Sequence, residues 1–371
     1  MTKRSRKPFR VPWPLAAMPL VVACAFGLLS SAWAWPPEKP YDPRPLTEEV
    51  AQKLTEDKFS FVVMGDSTHS RVMFDLVKLA EKLKPTLALL TGDIAGTGST
   101  KCYDHIEYQL GPFMRKIPTW PTVGNHELGR LEGWGLYKQF YNIKSWEYSF
   151  DFRNARFIQI GAPGAFHEKE WKMKWLEAQL AEGRKAGKHL FVWQHCPAYT
   201  VGYKRKGEVP GVPTAFTRLC TKYGVVADFA GHEHVYYRTF RDGVTYIIQG
   251  LGGEQIRPLN RRGEAIAGDV YYGALPGREG GTVLHTPKGE RKFGGGVFML
   301  TQIQVDGQNV TGKTYSSTGE VMDEFVLVPR PTTQPAKDAE AQSAEEPKPA
   351  EKAAPDAKGA ESSEPEPADK L

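Results

Sequence analysis

Five short blocks of the 371-residue chain, "MGDST", "TGDI", "GNHE", "WQHCPAY" and "GHEH", carry side chains able to hold cations. They supply the carboxylates of Asp66 and Asp93, the amide of Asn125, and the imidazoles of His126, His195, His232 and His234. Hard oxygen donors mixed with imidazole suit iron, manganese or zinc better than calcium or copper. One carboxylate is able to bridge two ions. A pair of ions about 3.5–4 Å apart clamps the attacking and leaving oxygens of an in-line phosphoryl displacement. A glycine precedes Asp66, Asp93, Asn125 and His232, as a tight exit from a strand toward a ligand requires. Taken singly, each piece has a plainer reading: Asp66 and Asp93 as turn residues or helix caps, Asn125 as a turn former, His195 as a core histidine, His232 and His234 as surface residues. The plain readings fail together, because every one of these residues falls at the end of an apolar run.

Those runs are the elements that must position the chemistry. "FSFVVMG", "TLALLTG", "TWPTVG", "HLFVWQ" and "VVADFAG" read as buried strands, and amphipathic helices are expected over 72–84, 103–115, 168–184 and 214–223. "WEYSFDF" and "RFIQIG" flank "RNA" as a hairpin. From "VYYRTF" onward β-rich segments dominate and imply a second sheet packed on the first. The stretch from Gly252 to Gly296 has little periodicity and reads as a surface loop. In open α/β sheets the carboxyl ends of the strands face one crevice, so ligands placed there meet in space. Helical spacing also puts Trp171, Trp175, Leu176 and Leu180 toward a core.

The five blocks, in this order, resemble the calcineurin-like metallophosphoesterase superfamily, with its D-x-H, GD, GNH(D/E), H and GH-x-H pattern. "WQHCPAY" is similar to the H-x-P-x-Y block of the purple-acid-phosphatase branch, and "YIIQGLGG" to the strand and glycine turn that closes the family's domain. The resemblance covers about 59–253. It implies an α/β fold of four layers, α/β/β/α, in which two mixed sheets are flanked by helices. It implies two divalent or trivalent ions, iron, manganese or zinc. Asp66, Asp93 and His234 would hold the first, and Asp93 would bridge to a second completed by Asn125, His195 and His232. His126 and His232 become the catalytic candidates, with His126 facing the phosphate and a bridging hydroxide as nucleophile.

Two departures from the pattern bear on the first ion. The histidine of D-x-H is Thr68, and the tyrosine of the purple branch is Gly96. In an extended segment positions i and i+2 share a face and i+3 points away. Thr68 is therefore expected to look toward the ion and His69 to turn elsewhere, leaving the first site short of a ligand and weaker. Glu127 and Glu233 are expected to orient loops or neighbouring ligands. His105, His167, His189 and His285 belong to no block, and surface positions are their default.

The rest of the chain sets the setting. Lys3, Arg4, Arg6, Lys7 and Arg10 precede an apolar stretch from Leu15 to Leu29 and then "SAWAW", the layout of a signal peptide cleaved after Ala34. A membrane anchor is disfavoured because the stretch falls short of the ~20 residues a span needs. The expected domains are thus a leader over 1–34, a linker over 35–58, a metallophosphoesterase domain over 59–330 and a disordered Pro-, Ala-, Glu- and Lys-rich tail over 331–371. The formal charge is +5, much of it in the leader. The body's slight basic excess suits an anionic small-molecule or lipid phosphoester and argues against nucleic acid. Export to the periplasm or medium permits a disulfide, but Cys102, Cys196 and Cys220 cannot all pair. A phosphomonoesterase of acid-phosphatase type is the leading expectation; the alternatives are a phosphodiesterase or nucleotidase, or a non-catalytic phosphate-binding module.

Overall fold

The computed structural model describes residues 40–161, 169–202, 214–277 and 281–327. The leader, the tail and His167 lie outside these residues. The chain first lays down three parallel neighbours, β1 (Lys58–Met64), β2 (Leu87–Leu90) and β3 (Thr119–Pro121). It then builds a second sheet from β4 (Glu147–Phe152), β5 (Ala155–Ile160), β6 (His189–Trp193), β7 (Ala227–Ala230), β8 (Tyr236–Arg241), β9 (Val244–Gln249), β10 (Val270–Ala274), β11 (Thr282–Thr286) and β12 (Gly289–Phe293). It returns with β13 (Met299–Asp306), β14 (Asn309–Ser316) and β15 (Val321–Leu327) antiparallel along β1. The sheet orders are β15-β14-β13-β1-β2-β3 and β12-β11-β10-β8-β9-β7-β6-β5-β4.

Side-chain alternation explains why the sheets stack. Phe59, Phe61 and Val63 of β1 join Phe157, Phe191 and Phe229 of the second sheet in one core, while Val62 and Met64 face helices on the other side. Phe61 meets the rings of Phe157, Phe191 and Phe229 edge-on at 5.1–5.7 Å. Helices α2 (Val72–Leu83), α3 (Thr100–Met114) and α4 (Gly133–Tyr141) belong to the outer core of the first sheet. Helices α5 (Glu170–Lys185) and α6 (Ala215–Tyr223) cover the second. The four-layer α/β/β/α expectation is met. Polar contacts also cross the sandwich: Arg238 of β8 pairs with Asp323 of β15 at 2.6 Å, and Gln249 of β9 donates to the Met299 carbonyl at 2.7 Å.

Several local expectations are corrected. The linker over 35–58 contains α1 (Pro43–Lys53), started by Pro43 in its first turn and by Asp42, whose side chain accepts from Arg44 N–H at 3.0 Å. Trp120 donates to Thr47 at 3.1 Å and ties this helix to the domain. The stretch 252–296 is not one loop, because β10, β11 and β12 extend the second sheet by antiparallel pairing. Leu176 and Leu180 of α5 are buried as expected, but Trp171 is exposed at 56 % and Met173 is buried in addition. Lys172 takes a buried position there by pairing with Glu147 at 3.3 Å, which shifted the apparent stripe by one residue. His189 is buried, with Nε2 2.8 Å from the Gly307 carbonyl. Among the described residues Cys102, Cys196 and Cys220 are free thiols.

One buried carboxyl in this scaffold has a measurable signature. Asp228 on β7 sits in the interior with the Gln194 amide donating to it at 3.0 Å, and burial pushes its pKa to about 7. An unfolded Asp releases its proton near 3.8, so through the window from there to about 7 the folded state alone retains it. Stability therefore falls as pH rises through that window, by up to about 1.4 kcal/mol per pH unit, and levels off above it. Asp228→Asn is expected to melt higher than the parent at pH 8 and close to it at pH ~4.5. Melts across that range check it, and a variant less stable at pH 8 contradicts it.

Candidate metal centre

The predicted residues come together at the carboxyl ends of β1, β2, β3, β6 and β7. Asp66, Asp93 and His232 all have left-handed backbone, with φ of 56°, 51° and 70°. Left-handed non-glycine residues cost free energy and cluster at functional sites. Backbone bonds hold the bend: Asp66 N–H donates to the Gly92 carbonyl at 2.9 Å, and Ser67 and Thr68 N–H donate to the Asp93 carbonyl at 3.0 and 3.1 Å. The neighbouring glycines serve mainly close approach. A Cβ on Gly124 would run into Asp93 Oδ1, and one on Gly231 into Asp66 Oδ2.

Around Asp93 the donors converge on one point. His195 Nε2 lies 3.2 Å from Asp93 Oδ2, 3.1 Å from Asn125 Oδ1 and 2.9 Å from His232 Nδ1. His195 Nδ1 faces the Thr91 carbonyl at 2.8 Å and so carries a hydrogen, leaving the Nε2 lone pair inward in the neutral ring. Lone pairs gathered this closely repel one another unless a cation lies among them, so the donor set fits a metal ion. Tying the outer nitrogen of a ligating imidazole to a carbonyl is the usual orienting device of metal sites. His234 has the same arrangement, with Nδ1 2.9 Å from the Gln255 carbonyl.

The second half of the site lies on the far side of Asp93. His234 Nε2 is 3.9 Å from Asp66 Oδ1 and 3.0 Å from Glu254 Oε2. Ligand atoms of Asp93, His126 and Glu254 all fall within 4.8 Å of one another, as do those of Asp93, His195 and His232. Asp66 is fully buried and its Oδ2 has no hydrogen-bond partner. His126 donates its N–H to Asp93 Oδ1 at 2.8 Å, and its Nδ1 lies 2.9 Å from the Gly96 carbonyl. Its side chain is 41 % exposed while that of His195 is fully enclosed, which puts the open face of the site on the His126 side.

Electrostatics agree with a cation cage. Burial pushes Asp66 well above the usual carboxylate range; His195 pulls it down, and the charges of Asp93 and Glu254 add to the rise. Burial works to raise Asp93 as well, yet the facing His195 outweighs it and holds that carboxyl at about 2. His195 is driven well upward because Asp93 and Asp66 overcome its own burial. His234 is lowered, foremost by burial.

Glu127 lies just behind this cage. It accepts hydrogen bonds from the N–H groups of Asp93, Ile94, Ala95 and Gly124 at 2.7–2.9 Å, the loop-orienting role expected for it. Thr68 and His69 both have left-handed backbone, so the extended geometry assumed for the segment does not apply. His69 nevertheless turns aside: its Nε2 accepts from Gly96 N–H at 3.2 Å, and its ring stands edge-on to His105. Glu254 was not singled out in the sequence. Its signal is an acid immediately after the glycine turn of "YIIQGLGG".

Comparison with known proteins agrees with this reading. Residues 59–236 match the family model of the calcineurin-like phosphoesterases, the superfamily whose pattern the five blocks resemble. It is 27% identical over 239 residues to purple acid phosphatase 15 of Arabidopsis thaliana, across 52% of this chain and 44% of that protein. It is 25% identical over 204 residues to phosphoenolpyruvate phosphatase of Allium cepa, across 49% of this chain and 42% of that protein. The chain thus spans less than half the length of these relatives. Among solved structures, purple acid phosphatase PPD1 from yellow lupin (Lupinus luteus) seeds superposes with a TM-score of 0.56 at 16% identity, over 74% of this chain and 54% of that one. GAP50, the anchor in the inner membrane complex of Plasmodium, gives 0.53 at 15% identity, over 78% and 95%. These two likenesses show the fold alone. Among the described residues no helix is long and apolar enough to cross a membrane.

Proposed function

We propose that this chain is an exported, metal-dependent phosphoester hydrolase of purple-acid-phosphatase type, acting on small phosphomonoesters at a two-metal centre. The observation that carries the reading is the meeting of Asp93 Oδ2, Asn125 Oδ1, His195 Nε2 and His232 Nδ1 at one point, with Asp66 and His234 beside it. Asp93, Asn125, His195 and His232 would hold one ion; Asp66, Asp93 and His234 would hold the other. Bound ions of this kind polarise phosphoryl oxygens and acidify water toward neutral pH. The chain's own residues supply the rest. Asp93 fixes the His126 backbone, and the Gly96 carbonyl fixes its ring through Nδ1, so Nε2 faces the open side of the site. Although burial works the other way, the Gly96 carbonyl and the Asp93 charge raise His126, which favours its donating a proton to the leaving oxygen. Export rests on the leader layout over 1–34, and cleavage after Ala34 would leave Trp35 as the first residue of the processed chain.

Hydrolysis of an aryl phosphate with added manganese, iron or zinc tests the proposal. His126→Ala is expected to lower kcat by about 10²–10⁴-fold with bound metal unchanged. Equal turnover by both proteins removes His126 from the mechanism. Thr68 in place of a histidine favours one other reading, a module that binds phosphate without turnover. Phosphate binding with no hydrolysis under any of the three metals would support that module instead. Parallel assays with a phosphodiester decide between mono- and diesterase.

A further inference from the structure

The resemblance leaves the first ion one imidazole short, yet the fold brings another donor to it. We infer that Glu254 is a protein ligand of the first ion, beside Asp66, Asp93 and His234, an inference that rests on the two-metal reading above. Its Oε2 lies 3.0 Å from His234 Nε2, and its carboxylate clusters within 4.8 Å of Asp93 and His126. Its Oε1 is buried without a hydrogen-bond partner, as is Asp66 Oδ2. Each carboxylate turns one oxygen toward His234 Nε2 and leaves the other buried and unpaired, which is costly unless a cation satisfies the pair.

The turn after β9 is built to deliver this carboxylate. Glu254 N–H donates to the Asp66 carbonyl at 3.2 Å, so the two ligands are tied through their backbones. Arg257 N–H donates to the His234 carbonyl at 2.9 Å, and His234 Nδ1 faces the Gln255 carbonyl, closing the turn on the third ligand. The approach needs both preceding glycines. A Cβ on Gly252 would strike the Gly65 carbonyl, and Gly253 has φ 140° and lies against Ser70. His69, the other candidate, is engaged by Gly96 N–H and His105.

The exchange of an imidazole for a carboxylate changes what the site selects. The first site becomes three carboxylates and one imidazole. The second remains one carboxylate, one amide oxygen and two imidazoles. Oxygen-rich sets favour harder ions such as manganese, and nitrogen-rich sets favour zinc. The two positions should therefore differ in preference, and the first should bind manganese well without a histidine at 68.

The experiment is a manganese titration of the metal-stripped chain by calorimetry, with bound metal counted by elemental analysis after gel filtration. Wild type and His69→Ala are expected to hold two equivalents. Glu254→Gln and Glu254→Ala are expected to keep one and to weaken the other about 100-fold or more, with the apo melting temperature of Glu254→Gln near wild type. Two tight equivalents in both Glu254 variants overturn the inference while leaving the two-metal reading intact. Loss of an ion in His69→Ala but not in Glu254→Gln transfers the role to His69 and also overturns it. No bound manganese in the wild type overturns the two-metal reading itself.

Discussion

Asp93→Asn is expected to abolish stable metal binding and to reduce phosphoester turnover by roughly 10³-fold or more. Among the described residues Asp93 is the carboxylate that belongs to both ligand groups, with Oδ2 3.2 Å from His195 Nε2 and 3.9 Å from His126 Nε2. The amide preserves the shape and still accepts from His126 N–H through the remaining oxygen. Its NH₂ group, however, places donor hydrogens where Oδ2 faces His195 Nε2, in the space a cation would take. The metal-free variant gives up the Asp93–His195 charge pairing but keeps the shape, so it should stay folded even as bound metal and kcat collapse. A variant that merely unfolds would lose both together. Paired measurements of apo melting, metal equivalents and kcat check it, and a variant that retains two ions and near-normal turnover contradicts it.

Replacement of Glu127 is expected to have the largest effect on stability. Its carboxylate gathers four backbone N–H groups from the two loops that carry Asp93 and Asn125. Burial, with the Asp93 charge adding to it, pushes its pKa to about 7, and the backbone donors pull against that rise. Glu127→Ala leaves those donors buried and unpaired, each costing on the order of 1–3 kcal/mol before the loops relax. A net loss of about 3–5 kcal/mol is expected in denaturant unfolding of the metal-free protein. Metal-free conditions matter, because bound ions would add linked stability and mask the change. Glu127→Gln should lose less, since its amide oxygen still accepts while its NH₂ confronts the remaining donors. A Glu127→Ala variant within ~0.5 kcal/mol of wild type would show that the loops hold themselves.

How much was legible in the sequence depended on how local the cause was. Strand alternation in "FSFVVM" and "HLFVW" identified residues facing the sheet–sheet core, because a period of two is imposed by the backbone. The ligand blocks were readable for a similar reason: a polar residue directly after a buried strand and a glycine has few other uses. The reason given for those glycines was only partly right, since Gly124 and Gly231 make room for carboxylate oxygens. Glu254 escaped notice because its role comes from a turn folding back onto Asp66, a contact between distant segments that no local pattern records. The 252–296 stretch misled because edge strands such as "GERKF" pair with a neighbour without a buried stripe of their own. Trp171 was assigned inward because Lys172, a charged residue, holds the core-facing position through its pairing with Glu147.

Anomalous diffraction from crystals of the manganese-loaded chain measures the arrangement most directly. Two peaks about 3.5–4 Å apart are expected, one ringed by Asp93, Asn125, His195 and His232, the other by Asp66, Asp93, His234 and Glu254. A protein that stays folded and shows no peak among these side chains would contradict the account.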